Sequence, residues 1–220
     1  MKKILAIVLV MCLLCITAIG TTLSYFTDVD SNDNTMTVGK VGITQKINDS
    51  ENDITSIKMY PVIVDANGDP VNNVVDMAVT VTMDADSEKA YVRTIFAFEM
   101  LKVDGAWVNP FDNEDGVVEV HLVGDVDLTD VVFEKNGVKY VVGVYTYGEL
   151  EANDVTDPSL EAVYLDSQVG NEFGPAVGGD GYNILILSQA VQTAGFSGAD
   201  AAFVAAFGAI DEGNVADWFN

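Results

Sequence analysis

Apolar and polar residues alternate along much of this chain, in short runs that end at turn residues. Residues 79–83 read Val-Thr-Val-Thr-Met, and residues 117–123 read Val-Val-Glu-Val-His-Leu-Val. Alternation with a period of two predicts strands that bury one face. Strands are predicted on this ground, or from short apolar runs, over residues 35–47, 55–64, 79–83, 91–101, 117–123, 131–135, 138–147 and 182–192.

The turns between these runs carry their own signals. Asn136-Gly137 lies between two predicted strands, and Asn67-Gly68 lies within the polar stretch Asp65–Asp69. Both dipeptides favour positive φ and predict tight, hairpin-type turns. Pro61 marks the strand 55–64 as an edge or bulged strand, because proline cannot donate to a ladder.

Two predicted strands differ in what they bury. In 91–101 the apolar residues Val92, Phe96, Phe98 and Met100 share one face, and Arg93 and Glu99 lie on the other. Residues 182–192 are apolar on both faces, which is typical of a strand at the centre of a sheet that is covered on both sides.

The spacing of apolar residues changes near the end of the chain, where residues 197–220 are predicted to be helical. Ser197 is placed to cap a helix with Asp200 three residues on. Phe203, Phe207 and Ile210 recur at helical spacing, and Gly208 fits a stop. Trp218-Phe219 must be buried against another element. About eight short strands and a single late helix predict an all-β, two-sheet sandwich on which that helix packs.

Residues 1–24 resemble a secretory leader, which would be an N-terminal signal helix. Lys2 and Lys3 precede an apolar run from Ile4 to Ile19, and Thr22 and Ser24 supply the small residues of a cleavage pattern. We expect signal peptidase to cleave between Ser24 and Tyr25 during export, which leaves a secreted protein with no stable membrane anchor. The alternative is an uncleaved N-terminal anchor, because the run is slightly long for a signal core.

Residues 25–220 are predicted to form a single secreted domain. The chain has a formal net charge of −24, and loss of the leader removes two lysines and no acid, so that the charge becomes −26. This charge excludes binding to nucleic acid or to an anionic membrane by electrostatic attraction. Cys12 and Cys15 both lie in the leader, so the secreted domain has neither disulfide nor thiolate chemistry.

Little in the sequence predicts catalysis. The only histidine, His121, lies on a predicted strand in Val-Glu-Val-His-Leu and is interpreted as an exposed residue. A His-Glu-x-x-His zinc site needs two histidines, and no Gly-x-Ser-x-Gly nucleophile elbow is present. The sequence therefore predicts no catalytic residue, no resident metal and no cofactor, and we do not expect an enzyme.

Acidic turns are the only candidates for cation binding. Asp28, Asp30 and Asn32 open like an EF-hand loop, but the sixth position is Asp33 and the twelfth is Gly39. The turn with Asp65, Asn67 and Asp69 begins in the same way, and it also departs from the EF-hand pattern at its later positions. Since Asp and Asn are good turn residues, we interpret both stretches as turns that bind calcium weakly at most.

The segment after the leader resembles a known family. Tyr25-Phe26-Thr27-Asp28, followed by Asn34-Thr-Met-Thr-Val-Gly-Lys-Val41, is similar to the start of the TasA/camelysin family, and Ala190-Val191-Gln192 resembles a strand end there. These are secreted bacterial β-proteins of biofilm matrix and of spore or cell surfaces. The resemblance implies a jelly-roll-like sandwich. It also implies assembly through residues 25–47, which would add as a strand to the sheet of the next subunit.

The leading hypothesis is therefore a structural subunit of extracellular fibres that self-associates through Tyr25, Phe26, Met36 and Val38. In the alternative arrangement, Tyr25-Phe26 packs on its own sandwich as the first strand. Two other functions stay open. One is a camelysin-like surface metallopeptidase, which would need mainly carboxylate ligands for calcium or manganese. The other is an adhesive module that binds through exposed tyrosines. A cleft with several carboxylates around His121 would favour the peptidase.

Overall fold

The computed structural model describes residues 27–30, 41–50, 56–112, 120–169 and 181–220. These residues form thirteen strands and two helices. The strands are β1 (Thr27–Asp30), β2 (Ile43–Ile47), β3 (Ser56–Ile57), β4 (Val75–Asp76), β5 (Val79–Met83), β6 (Ala90–Glu99), β7 (Leu101–Val103), β8 (Ala106–Val108), β9 (Val120–Gly124), β10 (Asp127–Lys135), β11 (Val138–Leu150), β12 (Leu160–Leu165) and β13 (Tyr182–Gln192). The helices are α1 (Ala199–Phe207) and α2 (Glu212–Trp218).

The strands form four antiparallel sheets in the described part of the chain. The largest has the order β1-β13-β6-β11-β10, and β3 also pairs with β13. The others are β4-β12-β9, β2-β5 and β7-β8. The predicted all-β class is therefore confirmed, with two short helices at the end of the chain.

The six-stranded sheet is covered on both faces. Phe96 and Phe98 of β6 pack on one face against residues of the smaller sheets, including Val79 and Val163. On the opposite face, Ile95 packs with Val215 of α2, while α1 packs through Phe203 in a neighbouring cluster. Because β13 lies beside β6 and shares both faces, the prediction that residues 182–192 are covered on both sides is confirmed.

Tight turns were predicted well where the dipeptide was specific. Asn136 and Gly137 have φ values of 54° and 81°, as a type I′ turn requires, and they join β10 to β11. Gly68, at φ 92°, closes the predicted 65–69 turn. The β7–β8 hairpin was missed, although its Asp104-Gly105 turn carries the same kind of signal.

The predicted strand 55–64 is mostly wrong. Only Ser56–Ile57 is a strand, and the rest is held by a bridge between Pro61 and Leu165 and by the Val62 amide, which donates to the Leu165 carbonyl at 3.1 Å. Proline cannot continue a ladder, so its apolar neighbours lie in an irregular segment instead. Two of them, Ile63 and Val64, are exposed.

The helical ending also differs from the prediction. Ser197 does not cap α1, because the N-cap residue is Gly198 and the helix has no side-chain cap hydrogen bond. Gly208 ends the helix at φ 89°, as predicted. A second helix, α2, was missed. Its N-cap is Asp211, whose carboxylate accepts from the Asn214 amide at 2.9 Å.

Candidate functional site

The site of most interest is the outer edge of β13. Strand β1 pairs there antiparallel to β13, with Thr27 opposite Val191 and Asp30 opposite Ser188. On its other side β13 pairs with β6 from Ile184 to Gln192. We call the backbone of Ser188–Val191 the acceptor edge. It is a segment of a long, largely buried strand, and β1, which is only four residues long, pairs along it.

The residues predicted to mediate assembly are Tyr25, Phe26, Met36 and Val38, and all four lie outside the described residues. So does the predicted cleavage site, Ser24-Tyr25. The described segment nearest to them, Thr27–Asp30, pairs within its own chain. The structure thus places the start of the predicted assembly region beside the last strand of the sheet.

A buried arginine lies next to the acceptor edge. Arg93 of β6 is directly opposite Gln189 of β13, and its Nε and Nη2 donate to the Gln189 side-chain oxygen at 2.8 and 2.6 Å. The guanidinium lies 4.3 Å from the ring centre of Phe203 in α1 and 5.3 Å from that of Trp218 in α2. One cation thus contacts the acceptor strand and both helices. We call Arg93 and Gln189 the arginine row.

Burial lowers the pKa of Arg93 to about 10, and the nearby charge of Asp200 partly opposes this shift. Arg93 therefore stays charged at neutral pH, and its two aromatic neighbours supply cation–π attraction in a desolvated setting. The second atom of the Gln189 amide, Nε2, is buried without a hydrogen-bond partner. Such a group costs free energy, so the row is not optimised for stability alone.

A second polar pair lies on the opposite face, one residue along. The hydroxyls of Thr94 and Ser188 are 2.9 Å apart, and these residues are directly opposite each other on β6 and β13. Ser188 donates to the Gln45 side-chain oxygen at 2.6 Å, so Thr94 must donate to Ser188. Tyr147 lies beside Thr94, and burial raises its pKa. We call Thr94 and Ser188 the threonine row.

Arg93 lies on the face of β6 opposite Phe96 and Phe98, as the alternation predicted, but this face is not open to solvent. Arg93 is 4% exposed, because α1 and α2 cover that face of β6. Glu99, predicted to share the face, remains partly exposed and accepts hydrogen bonds from the Asn183 amide and side chain at 3.0 and 2.5 Å. The polar alternation within β6 was visible in the sequence, but the helices that cover it were not.

His121 does not lie in a carboxylate-rich cleft of the described structure. Its Nε2 is 3.1 Å from a carboxylate oxygen of Asp166, and its ring stacks on Tyr164 with the centroids 4.8 Å apart. The side chain is one-third exposed, so it is less exposed than predicted. Among the described residues, no group of three or more His, Cys, Asp or Glu side chains is placed to hold a metal ion.

The acidic turns use their oxygens internally where the structure describes them. One Asp65 carboxylate oxygen accepts from the amides of Asn67 and Asp69 at 2.8 and 3.0 Å. These bonds lower the pKa of Asp65. Asp28 and Asp30, which open the other EF-hand-like stretch, lie in the extended strand β1 rather than in a turn.

A small cavity of about 90 Å³ lies beside Tyr182 and is also lined by Glu99 and Trp107. This volume is below that of a typical substrate pocket, which is roughly 300–1,000 Å³. The helices that the structure describes include none long and apolar enough to cross a membrane.

No family model, curated protein or solved structure matches this chain. The resemblance to the TasA/camelysin family therefore rests on the N-terminal residues and the Ala190-Val191-Gln192 strand end alone.

Proposed function

We propose that this chain is a secreted structural subunit of extracellular biofilm-matrix or cell-surface fibres. Its sheets would form a jelly-roll-like sandwich, and each subunit would donate its N-terminal strand to the acceptor edge of the next. The observation that carries this proposal is the pairing of β1 with β13. It brings the segment that resembles the family's assembly region to a sheet edge that can accept a strand.

Strand pairing of this kind can be exchanged between chains. The same register of β1 on β13 can form within one chain or between two, so the backbone hydrogen bonds are alike in both states. A net backbone hydrogen bond contributes about 1 kcal/mol, so the four-residue β1 is held by only a few kcal/mol. Head-to-tail donation gives filaments when the rotation between successive subunits does not close a ring.

The rest of the sequence is compatible with this role. Leader cleavage would release the domain outside the cell and place Tyr25-Phe26 near a new N-terminus, as apolar anchors for an incoming strand. The acidic domain would remain soluble until assembly, and signal peptidase would be its partner during export. The proposal needs no cofactor and no catalytic residue.

A disulfide cross-linking experiment between two chains tests the proposal directly. Two versions of the chain beginning at Tyr25 are made, one with Asp28→Cys and one with Ala190→Cys. These positions are opposite each other in the β1–β13 register, within the Cα separation that a disulfide requires. The rest of each chain lacks cysteine, so a disulfide between the mixed chains reports donation of β1.

We expect disulfide-linked pairs from this mixture, and linear ladders from chains that carry both cysteines. The matched control pairs Asp28→Cys with Val204→Cys, an exposed position on α1, and should give few links. If the Asp28→Cys and Ala190→Cys mixture links no better than the control, strand donation in this register is wrong.

Electron microscopy gives an independent test. The chain beginning at Tyr25 is compared with a chain beginning at Thr35, across a range of calcium and protein concentrations. Fibres from the first and none from the second would support assembly through the N-terminal strand. Monomers from both would contradict it.

A further inference from the structure

Four of the six buried polar or charged residues that the structure describes lie together at the acceptor edge. They are Arg93, Thr94, Ser188 and Gln189, which form the arginine row and the threonine row. Ser188 and Gln189 are also the residues opposite Asp30 and Val29 of β1. The acceptor strand is therefore polar inside the core at the place where β1 pairs.

Residues 184–187 in the middle of β13 carry little information about its register on β6. Residues 184–187 read Ile-Leu-Ile-Leu, with the isoleucines on one face and the leucines on the other. A slip of two residues keeps every side chain on its own face, and within this stretch it exchanges Ile184 with Ile186 and Leu185 with Leu187. Apolar packing of these four residues alone therefore distinguishes poorly between the native register and one shifted by two.

The polar rows remove this ambiguity. After such a slip, Arg93 would lie opposite Leu187 or Val191, which are 0% and 1% exposed. Its guanidinium would lose the Gln189 oxygen while remaining enclosed by Phe203 and Trp218. Thr94 and Ser188 would separate in the same way. Unpaired buried polar groups and charges are strongly unfavourable, so a shifted register is penalised on both faces at once.

We propose that the arginine and threonine rows fix the register of β13 on β6 and so keep the acceptor edge in position while β1 is absent. This inference rests on the proposed function, because the edge is vacated only if β1 leaves. Arg93, Thr94, Ser188 and Gln189 are then positioning residues. Their side chains act through the backbone, because they determine where the hydrogen-bonding groups of Ser188–Val191 lie when the incoming strand arrives. Buried polar groups can specify register in this way even where they add no stability.

The test measures the register of β13 on β6 within single chains that begin at Tyr25. The double substitution Asp28→Pro/Val29→Pro is used to detach β1. Of two successive backbone N–H groups in β1, one points towards β13, and proline has no N–H to donate. The native register is reported by a disulfide between Ala97→Cys and Leu185→Cys, which are opposite each other. A slip of two is reported by Ala97→Cys with Leu187→Cys, which lie too far apart in the native register.

With β1 detached and the rows intact, we expect the native disulfide to form readily and the slipped disulfide to be a minor product. Adding Arg93→Met/Gln189→Leu should raise the slipped disulfide by about tenfold, since apolar residues no longer penalise the shift. The matched control is Ile95→Val, which loosens packing on the same strand without touching either row, and it should keep the native disulfide. The absence of slipped disulfide after both substitutions would overturn the inference.

Circular dichroism shows whether each variant folds. If Arg93→Met/Gln189→Leu does not fold, Thr94→Val/Ser188→Ala removes the other row, and the same increase in slipped disulfide is expected. Binding of a synthetic peptide of residues 25–34 provides the link to assembly, because slipped chains should bind it at least about tenfold more weakly than chains with intact rows. A shifted register with unchanged peptide binding would overturn the positioning role.

The two proposals fail in different ways. The register of β13 is read inside one chain and does not depend on exchange between chains. If Asp28→Cys and Ala190→Cys chains never link, the proposed function fails, whatever the register experiment gives. If they link but the register never shifts, the proposed function stands and this inference is wrong.

Discussion

The six-stranded sheet has two edges that are protected in different ways. At one edge, β10 carries the exposed acids Asp127, Asp130 and Glu134, and its pairing with β11 is irregular between Leu128 and Val132. At the other, β13 is a largely buried, apolar strand, and its acceptor edge pairs with the four-residue β1. Charges and bulges on an edge strand discourage pairing with another chain, so β10 is protected by its own sequence.

The C-terminal residues strengthen the β10 side. Phe219 stacks on Phe133 of β10 with ring centres 5.7 Å apart, and the Lys135 ammonium donates to the Phe219 carbonyl. Protection of β10 thus comes from its own charges and irregular pairing and from contacts with the C-terminal residues, whereas β13 is covered on this side by one short strand. The proposed strand donation therefore uses the β13 side, and the comparison with β10 can be tested.

The largest expected effect comes from proline substitutions that compare the two edges. Asp28→Pro/Val29→Pro should lower assembly by at least about tenfold, because it removes a ladder hydrogen bond and weakens β1 on any acceptor edge. The counterpart on β10 is Asp130→Pro/Val131→Pro, which falls where β10 and β11 have no paired register. It should change assembly by less than about twofold. Fibre yield by light scattering and electron microscopy measures both, and equal losses would contradict the comparison.

A smaller effect is expected from Phe219→Ala. Loss of the stack on Phe133 should lower the free energy of unfolding by about 2–3 kcal/mol, less than a fully buried phenylalanine because Phe219 is only partly buried. Phe219→Leu keeps most of the apolar volume and should cost less. Urea unfolding measures the stability. Disulfide cross-linking between Asp28→Cys and Ala190→Cys chains should be unchanged. Altered cross-linking would mean that the two edges are coupled.

Salt should moderately increase the rate of assembly, whichever edge is used. Subunits with a net charge of about −26 repel one another, and this repulsion is screened over about 10 Å at 0.1 M salt. We expect the assembly rate to rise several-fold between low and physiological ionic strength. Sodium and calcium chloride at equal ionic strength are compared by light scattering. A much larger effect of calcium would show that specific ions bind the acidic turns, which screening alone does not require.

The smallest effect concerns an ion pair near the end of β13. The Lys89 ammonium lies 2.5 Å from the Glu149 carboxylate, and the Lys89 carbonyl accepts from the Thr193 amide at 3.1 Å. The hydrogen bond from Lys89 lowers the pKa of Glu149. The ion pair's contribution to stability is therefore present at pH values above the pKa of Glu149 in the unfolded chain. It is lost as the pH falls through the lower pKa of Glu149 in the folded chain.

Both side chains are about half exposed, so this contribution is small and should disappear at high salt. Thermal unfolding of the parent chain and of Glu149→Gln measures it. Their difference in melting temperature should shrink as the solution is acidified, and Lys89→Met should give the same trend. A difference that grows on acidification would contradict the sign.

The sequence predicted features that depend on neighbouring residues. Asn136-Gly137 predicted the β10–β11 hairpin, because positive φ at both positions is a local property of that dipeptide. The apolar residues 182–192 predicted β13 with its observed bounds. Local patterns failed where a competing local signal was misjudged, as at Pro61, or where Ser197 offered a plausible cap one residue too early.

What the sequence determined by itself is the all-β class, several tight turns and a helical ending, since period and turn chemistry act over a few residues. Only the tertiary structure decided that the first described strand pairs with the last, and that Arg93 is enclosed between two helices. These contacts join residues far apart in the chain, and no local periodicity records them. The acceptor edge is made by such contacts, because a strand becomes an edge only when the order of its neighbours is set.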